Sequence, residues 1–391
     1  MKVLLLGGTG NFGKSAAVLF ARENLITEIG LASRHIETAQ RIAVEIGDKA
    51  HPVCVDINDL PHLSSIAAGY DIIVNAAGPS SEVQVSAVQA AIQAGVHYTD
   101  IGAIGRYAER AFQLDLQARA RDVTVIIGSG WVAVNSLMAV YASHQLDEIE
   151  QISACFLFDY TPGNYYSPEQ CFIRAHETGK VETSWDVIDT AGSPVLRYCV
   201  GSWEHIDPLE NPVEVIHPSG CKITAYPADS PSILTLPTYL PGVQTVTCLL
   251  GMIPPQLMEL FIQKSQRIVR GEINWTGAAI DFFETAVLGK EHWLISPPGY
   301  PSGWWMWVVA EGQKKRRKAR YLCWPSMILD WTTVPLVITT LRILRGEVST
   351  HGVLTTEAIL GLEPLLEEAS KYLHEKYRGI SILNERFEWL E

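Results

Sequence analysis

Residues 1–13 read MKVLLLGGTGNFG, and this stretch decides the fold. Lys2–Leu6 is a short apolar run of buried-strand type. Gly8-Thr9-Gly10-Asn11-Phe12-Gly13 follows at once, and 14–23 carries Ala16, Ala17, Leu19, Phe20 and Ala21 at helical spacing. A GxGxxG string alone is a common turn pattern. Between a buried strand and a helix it becomes the fingerprint of a dinucleotide-binding turn. Gly8 would permit the tight turn, Gly10 would let the backbone approach a pyrophosphate, and Gly13 would let helix and strand pack closely. The phosphates would meet N–H groups at the positive end of the helix.

Working outward, Ile26–Ala32 is the expected second parallel strand. A site that prefers NAD places an acid about 20 residues past the glycines, to hold the ribose 2′-hydroxyl. Here that position reads Ser33-Arg34-His35. Ser33 can hydrogen-bond a 2′-phosphate and the planar fork of Arg34 can grip it, so the expected cofactor is NADP(H). Glu37 is the nearest acid that could compete. A third strand over 51–57 would bring Asp56 to the adenine. A fourth over 71–76 leads into Ala77-Gly78-Pro79, small residues that would admit the nicotinamide ribose.

Helix 83–94, strand His97–Asp100, a further helix and strand 123–127 continue the alternation. Strands alternating with helices predict a doubly wound parallel (Rossmann) sheet, which binds ligands at the carboxyl ends of its strands. After Gly130 the alternation stops. Strand-like runs at 149–158, 195–200, 213–217, 222–226, 304–310 and 321–324, with helices at 255–269 and 277–288, predict an α+β domain with a mostly antiparallel sheet. The expected organisation is an NADP-binding domain over 1–130 and a substrate and dimerisation domain over 131–330. The helical segment 331–391 is expected to pack back on the first domain.

Composition sets the outer limits. The chain has 391 residues, 47% of them hydrophobic, and a formal net charge of −13. That charge argues against nucleic acid and anionic membrane surfaces as partners. The basic run Lys314–Lys318, between two apolar runs, reads as a solvated hairpin turn. Pro335–Ile343 is too short to cross a bilayer and reads as a packed helix. The seven cysteines show no CxxC pair and no ligand spacing, so neither a metal nor a disulfide is expected, and the default location is the reducing cytoplasm. Most of the eleven tryptophans lie in the second half. Trp305 and Trp307 share one strand face, which suits a sheet core or a homodimer interface.

Four segments resemble the saccharopine dehydrogenase-like oxidoreductases, a group that includes saccharopine reductase, carboxynorspermidine dehydrogenase and lysine 6-dehydrogenase. They are GGTGNFG at 7–13, VNAAGP at 74–79, AGVHYTDIG at 94–102 and GEVSTHGVLTTEA at 346–358. In the last, Thr356-Glu357 stands where the family has Pro-Glu. The resemblance implies hydride transfer between NAD(P)H and a carbon–nitrogen double bond of a small-molecule substrate. It also makes Ser184-Trp185 similar to a Ser-Trp pair of the family's substrate domain. The family's GxDPG-like entry to that domain reads Gly128-Ser129-Gly130-Trp131-Val132 here, without the acid and the proline, so Trp131 would reshape the pocket; the differing surroundings of Ser184-Trp185 argue against saccharopine itself.

Imine reduction needs a hydride donor held about 3–3.5 Å from the carbon, a protonated nitrogen and exclusion of water. Tyr98 and Asp100, ending a strand at the cofactor edge, are the first-domain candidates for proton supply or orientation. His176, with Glu177, is the second-domain candidate. Tyr160, with Tyr165 and Tyr166, would line the substrate pocket beside Asp159. Two alternatives stand. One is an enoyl reductase of the same superfamily, whose typical GFDSIPSD-like segment is replaced here by GSGWVAVNS. The other is a non-catalytic NADP sensor. A short-chain dehydrogenase YxxxK pair fails on position, because the match Tyr372–Lys376 falls far too late.

Overall fold

The structure, a computed structural model, describes residues 1–102, 105–163, 167–178, 194–207 and 209–390. It divides into one unit of Met1–Leu137 with Ile328–Ile382, and a second of Met138–Met327 with Leu383–Glu391.

The first unit is built on strands β1 (Lys2–Leu6), β2 (Glu28–Ser33), β3 (Ala50–Cys54), β4 (Ile72–Asn75), β5 (His97–Asp100) and β6 (Thr124–Ile127). Its helices include α1 (Asn11–Arg22), α2 (Ile36–Ile46), α3 (Leu60–Ala67) and α4 (Ser80–Ala94), and Trp131–Ser143 follows β6. Continuous apolar runs suit a sheet covered on both faces, and β1, β4 and β6 are buried almost throughout. The sheet has seven strands, all parallel, and its seventh comes from far along the chain: Gly352–Thr355 lies beside β6. The order runs from that late strand through β6, β5, β4, β1 and β2 to β3. The chain therefore reverses direction across the sheet between β1 and β4, the crevice where doubly wound sheets take ligands.

Helix Thr333–Leu344 braces this sheet. Nearly every side chain in it is buried, Val337 and Leu341 join the core around Phe20 and Ile126, and Thr340 Oγ1 lies 3.0 Å from Thr99 Oγ1. This is the packed helix predicted around Pro335–Ile343. Among the described residues no helix is long and apolar enough to cross a membrane.

The second unit holds a nine-stranded, mostly antiparallel sheet. Its centre is β7 (Glu148–Asp159) between Thr245–Ile253 and Trp305–Lys314, with Arg317–Pro325 next in line. Strand Thr245–Ile253, to which the sequence reading assigns no element, runs parallel to β7 in register Thr245↔Gln151 through Ile253↔Asp159. Its stretch from Cys248 to Ile253 is buried without alternation and leaves no period to read, since a short buried strand and a buried helix look alike. The hairpin Val213–Ile216 and Lys222–Pro227 shares a core with Trp307, Leu157 and Leu322. In the other hairpin, Lys315 and Arg316 form the turn with positive φ (50° and 63°), in agreement with the solvated basic turn.

The tail corrects the expectation that 331–391 is wholly helical and belongs with the first domain. Leu383–Trp389 is a strand of the second sheet, antiparallel to Arg317–Pro325. Its side chains alternate in exposure, a period of two that a helix cannot satisfy.

Candidate functional site

At the carboxyl ends of β1 and β4 two turns come within van der Waals reach. Gly7 adopts φ +71°, and a Cβ there would lie 2.6 Å from the backbone nitrogen of Ala77. The left-handed turn role expected of Gly8 thus belongs to Gly7, because Gly7 both reverses the chain and touches the turn after β4. Gly13 does what the spacing predicts: a Cβ would fall 2.1 Å from the carbonyl oxygen of Gly7, so only glycine lets α1 sit this close. Gly10 caps α1 with no side-chain hydrogen bond, and a Cβ there would meet only Gly7 O at 3.4 Å. Gly10 is therefore walled off by protein on one side only, as a backbone that must admit a ligand requires. Thr9, Asn11 and Phe12 lie on this loop and first turn.

The adenine side is open. Ser33 ends β2, and its Oγ accepts the backbone N–H of His35 at 3.0 Å. Arg34 is exposed, and among the described residues no carboxylate pairs with it. Asp56, just past β3, is exposed and caps its own turn through Asn58 N at 3.0 Å. Ala77, Gly78 and Pro79 are half-buried at the end of β4. These residues fit a dinucleotide: a cradle of glycines, a free guanidinium at the end of β2 and small residues opposite.

Tyr98 and Asp100 are placed otherwise than expected. They are 0% and 1% exposed. Asp100 Oδ1 accepts Gly102 N (2.9 Å) and Gly128 N (2.7 Å), and Oδ2 accepts Gln84 Nε2 (2.8 Å) and the Tyr98 hydroxyl (2.9 Å). Burial pushes the carboxyl above its usual range, against the pull of those donors. Burial and the neighbouring carboxylate drive the Tyr98 phenol well above its ordinary value. A phenol held this firmly protonated and a carboxylate enclosed on every side are poor proton carriers, so this geometry argues against the proton-supplying role.

The remaining predictions divide. Trp131, half-buried, is the first residue of the helix after β6. Tyr160 is 1% exposed, with ring centroids 6.0 Å from Trp304 and 6.4 Å from Phe282. It is an aromatic core residue and not the pocket lining expected, because its ring is enclosed by the rings of Trp304 and Phe282. His176 lies in helix Pro168–Thr178, but its side chain, like Tyr165, Tyr166, Ser184 and Trp185, falls outside the described residues. Among the described residues no three His, Cys, Asp or Glu side chains converge as metal ligands would.

Several residues of this region escape a reading of residue types. Gly7 is hidden beside the glycines of the fingerprint. Asn75 and Gln84 are polar residues with no local pattern to mark their burial. Glu357, after the seventh strand, accepts Ser136 Oγ at 3.0 Å. Only its place in GEVSTHGVLTTEA could have pointed to it.

Known proteins agree with this geometry. Residues 3–127 match the family model of the saccharopine dehydrogenase NADP-binding domain. The whole chain superposes on apo histidine-tagged saccharopine dehydrogenase (L-Glu forming) from Saccharomyces cerevisiae. The TM-score is 0.63 at 15% identity, covering 99% of each chain. Homospermidine synthase from Legionella pneumophila, solved in complex with NAD, gives 0.58 at 11% identity, covering 99% of this chain and 91% of that one. A Mycobacterium tuberculosis protein named as a trans-acting enoyl reductase is 27% identical over 144 residues, a match that spans 36% of this chain and 34% of that relative. Fold and loop together define a dinucleotide-binding domain of Rossmann type in the first unit. Residues 3–127 are thus similar to the NADP-binding domain of saccharopine dehydrogenase, and nearly the whole chain shares the fold of that enzyme.

Proposed function

We propose that the protein is an NADP(H)-dependent oxidoreductase acting on a carbon–nitrogen bond, reducing an imine of an amino-acid- or amine-derived substrate or running the reverse. The observation that carries the cofactor half is the unpaired guanidinium of Arg34, exposed at the end of β2 where an NAD site would hold an acid. Gly7–Gly13 would hold the pyrophosphate, Ser33 and Arg34 the 2′-phosphate, Asp56 the adenine edge, and Ala77–Pro79 the nicotinamide ribose. The bound coenzyme supplies or accepts the hydride. The chain's own residues orient it, exclude water and keep the substrate nitrogen charged. Glu357, a half-buried carboxylate past the end of a sheet strand, has the charge to favour a protonated imine. Trp131, at the start of the helix after β6, offers apolar surface.

Replacing Arg34 with Asp tests the cofactor assignment. Loss of a charged hydrogen bond of about 2 kcal/mol corresponds to roughly a 30-fold weaker Kd for NADPH, with little change for NADH. An unchanged NADPH affinity would make this assignment wrong. The substrate class is tested by following NADPH consumption with a panel of imines, or of keto acids with amines, with enoyl thioesters alongside. Turnover of the imines alone supports this reading. A second reading, reduction of a carbon–carbon double bond, is favoured by the name of the Mycobacterium relative and opposed by GSGWVAVNS; turnover of the thioesters alone would establish it.

A further inference from the structure

We propose that Asn75, Tyr98, Asp100 and Gln84 form a buried positioning frame that fixes the loops under the nicotinamide half of the coenzyme, while the adenine half is bound independently of it. The frame is continuous. Asn75 Oδ1 accepts Ala77 N at 3.0 Å, and Asn75 Nδ2 donates to the Tyr98 hydroxyl at 3.1 Å. That hydroxyl donates to Asp100, which gathers Gln84, Gly102 N and Gly128 N, while Ser129 N donates to Asp100 O at 2.7 Å. It thus runs across the strands and fastens the turns after β4, β5 and β6 to one another. Asn75 and Asp100 are direct neighbours in the β4–β5 register.

Every member is buried: Asn75 3%, Gln84 1%, Tyr98 0% and Asp100 1% exposed. A carboxylate in such a place is costly unless its oxygens are hydrogen-bonded. Here four donors satisfy it, and the network adds a fixed geometry for the backbone groups it holds. The groups held here belong to small-residue turns, Ala77-Gly78, Gly102 and Gly128-Ser129-Gly130, at the carboxyl edge where the fold takes its ligand. Arg34 and Asp56 put the adenine half beyond β2 and β3. By the strand order, the other half lies over β4, β5 and β6, the strands that the frame ties together. Hydride transfer tolerates little displacement, since a shift of about 1 Å can cost about 100-fold in rate.

This inference rests on the coenzyme reading above, and the test separates the two. Dissociation constants are measured for NADPH and for 2′,5′-ADP, which carries only the adenine half, on the wild type and on Tyr98→Phe, Asp100→Asn and Asp100→Ala. Tyr98→Phe keeps the ring and removes the hydroxyl. Asp100→Asn keeps an oxygen for Gly102 N and Gly128 N, and Gln84 can turn its amide to offer the new NH2 its own Oε1, which is buried without a partner. The expected result is an unchanged 2′,5′-ADP affinity in all three variants, which also reports that the site is folded. NADPH should weaken about tenfold in Tyr98→Phe and more in Asp100→Ala, with partial rescue in Asp100→Asn and loss of the fluorescence change of the bound reduced ring. Equal loss of both ligands, or no loss of NADPH, would overturn the frame while leaving the coenzyme reading intact. A wild type that binds neither ligand would overturn both.

Discussion

Asp100 and Asp159 occupy equivalent posts in the two sheets, yet their surroundings differ in kind. Each ends a strand, each is buried, and each accepts backbone N–H groups from more than one loop: Gly102 and Gly128 on Asp100, Thr161 (2.8 Å) and Gly303 (2.6 Å) on Asp159. Around Asp100 the loops are glycines and alanines, and the carboxylate sits inside a chain of buried polar side chains. Around Asp159 stand Phe158, Tyr160 and Trp304, with the Trp304 ring tilted 35° to Phe158 and 60° to Tyr160. The same latch therefore serves two purposes. In the first unit it ties together small-residue turns at the carboxyl edge of the sheet; in the second it sits among buried aromatic rings. A buried strand-end aspartate is informative only through the size of the residues it holds.

The comparison breaks most visibly at the glycines. Gly13→Ala forces a Cβ against backbone at 2.1 Å, which no rotamer can relieve, whereas Gly251→Ala in the second sheet meets nothing nearer than the side-chain tip of Leu157 at 3.0 Å, with Ile223 at 3.4 Å and Thr224 O at 3.5 Å. Gly13→Ala should cost about 3 kcal/mol in denaturant unfolding and remove measurable NADPH binding, and Gly251→Ala about 1 kcal/mol with binding intact. Similar losses for the two would mean that the first turn has slack the contacts do not show.

The two units should also answer pH oppositely. His217 is 0% exposed, and burial, followed by the Arg386 guanidinium, pushes its imidazole down to about 4 from 6.5. A lowered folded value means that the neutral ring is favoured in the fold. Its contribution is complete above 6.5 and is lost as pH falls toward 4, about 3 kcal/mol at most. Asp100, raised by burial, has the reverse sign: its contribution is complete below the unfolded carboxyl value and fades as pH rises through the folded one. Unfolding of His217→Gln and Asp100→Asn against pH should flatten these slopes separately; a slope unchanged in either variant refutes that assignment.

Truncation sharpens the contrast at the latches. Asp100→Ala and Asp159→Ala each orphan buried N–H groups and should cost about 2 kcal/mol in stability. Only the first should alter NADPH affinity, which titration of both variants decides. The smallest effect belongs to the basic hairpin. Replacing Lys315-Arg316 with Asn-Gly suits the positive φ at both positions and should raise stability by less than about 1 kcal/mol, without touching coenzyme binding. A loss of stability would show that these cations make contacts worth more than the strain.

The first unit was legible because its signals are local. A strand, three glycines and a helix lie within one βα turn, and the absence of an acid after Ala32 is a matter of counting. Boundaries such as β5 at His97–Asp100 coincide with those read from the sequence. The second unit resisted because its strands pair with partners far along the chain: Thr245–Ile253 beside β7, and Leu383–Trp389 beside Arg317–Pro325. Within the site, Gly13 could be assigned by spacing. That Gly7 rather than Gly8 carries the positive φ depends on Ala77, a contact across seventy residues of chain.

By itself, then, the sequence determined a doubly wound nucleotide domain, its cofactor loop and a helix–sheet second domain, since these follow from periodicity and glycine placement along contiguous stretches. Tertiary structure alone decided that Tyr98 and Asp100 are enclosed, that Tyr160 belongs to a core, and that distant strands complete both sheets. Burial and strand pairing are set by residues far away in sequence, and no local pattern of residue types contains them.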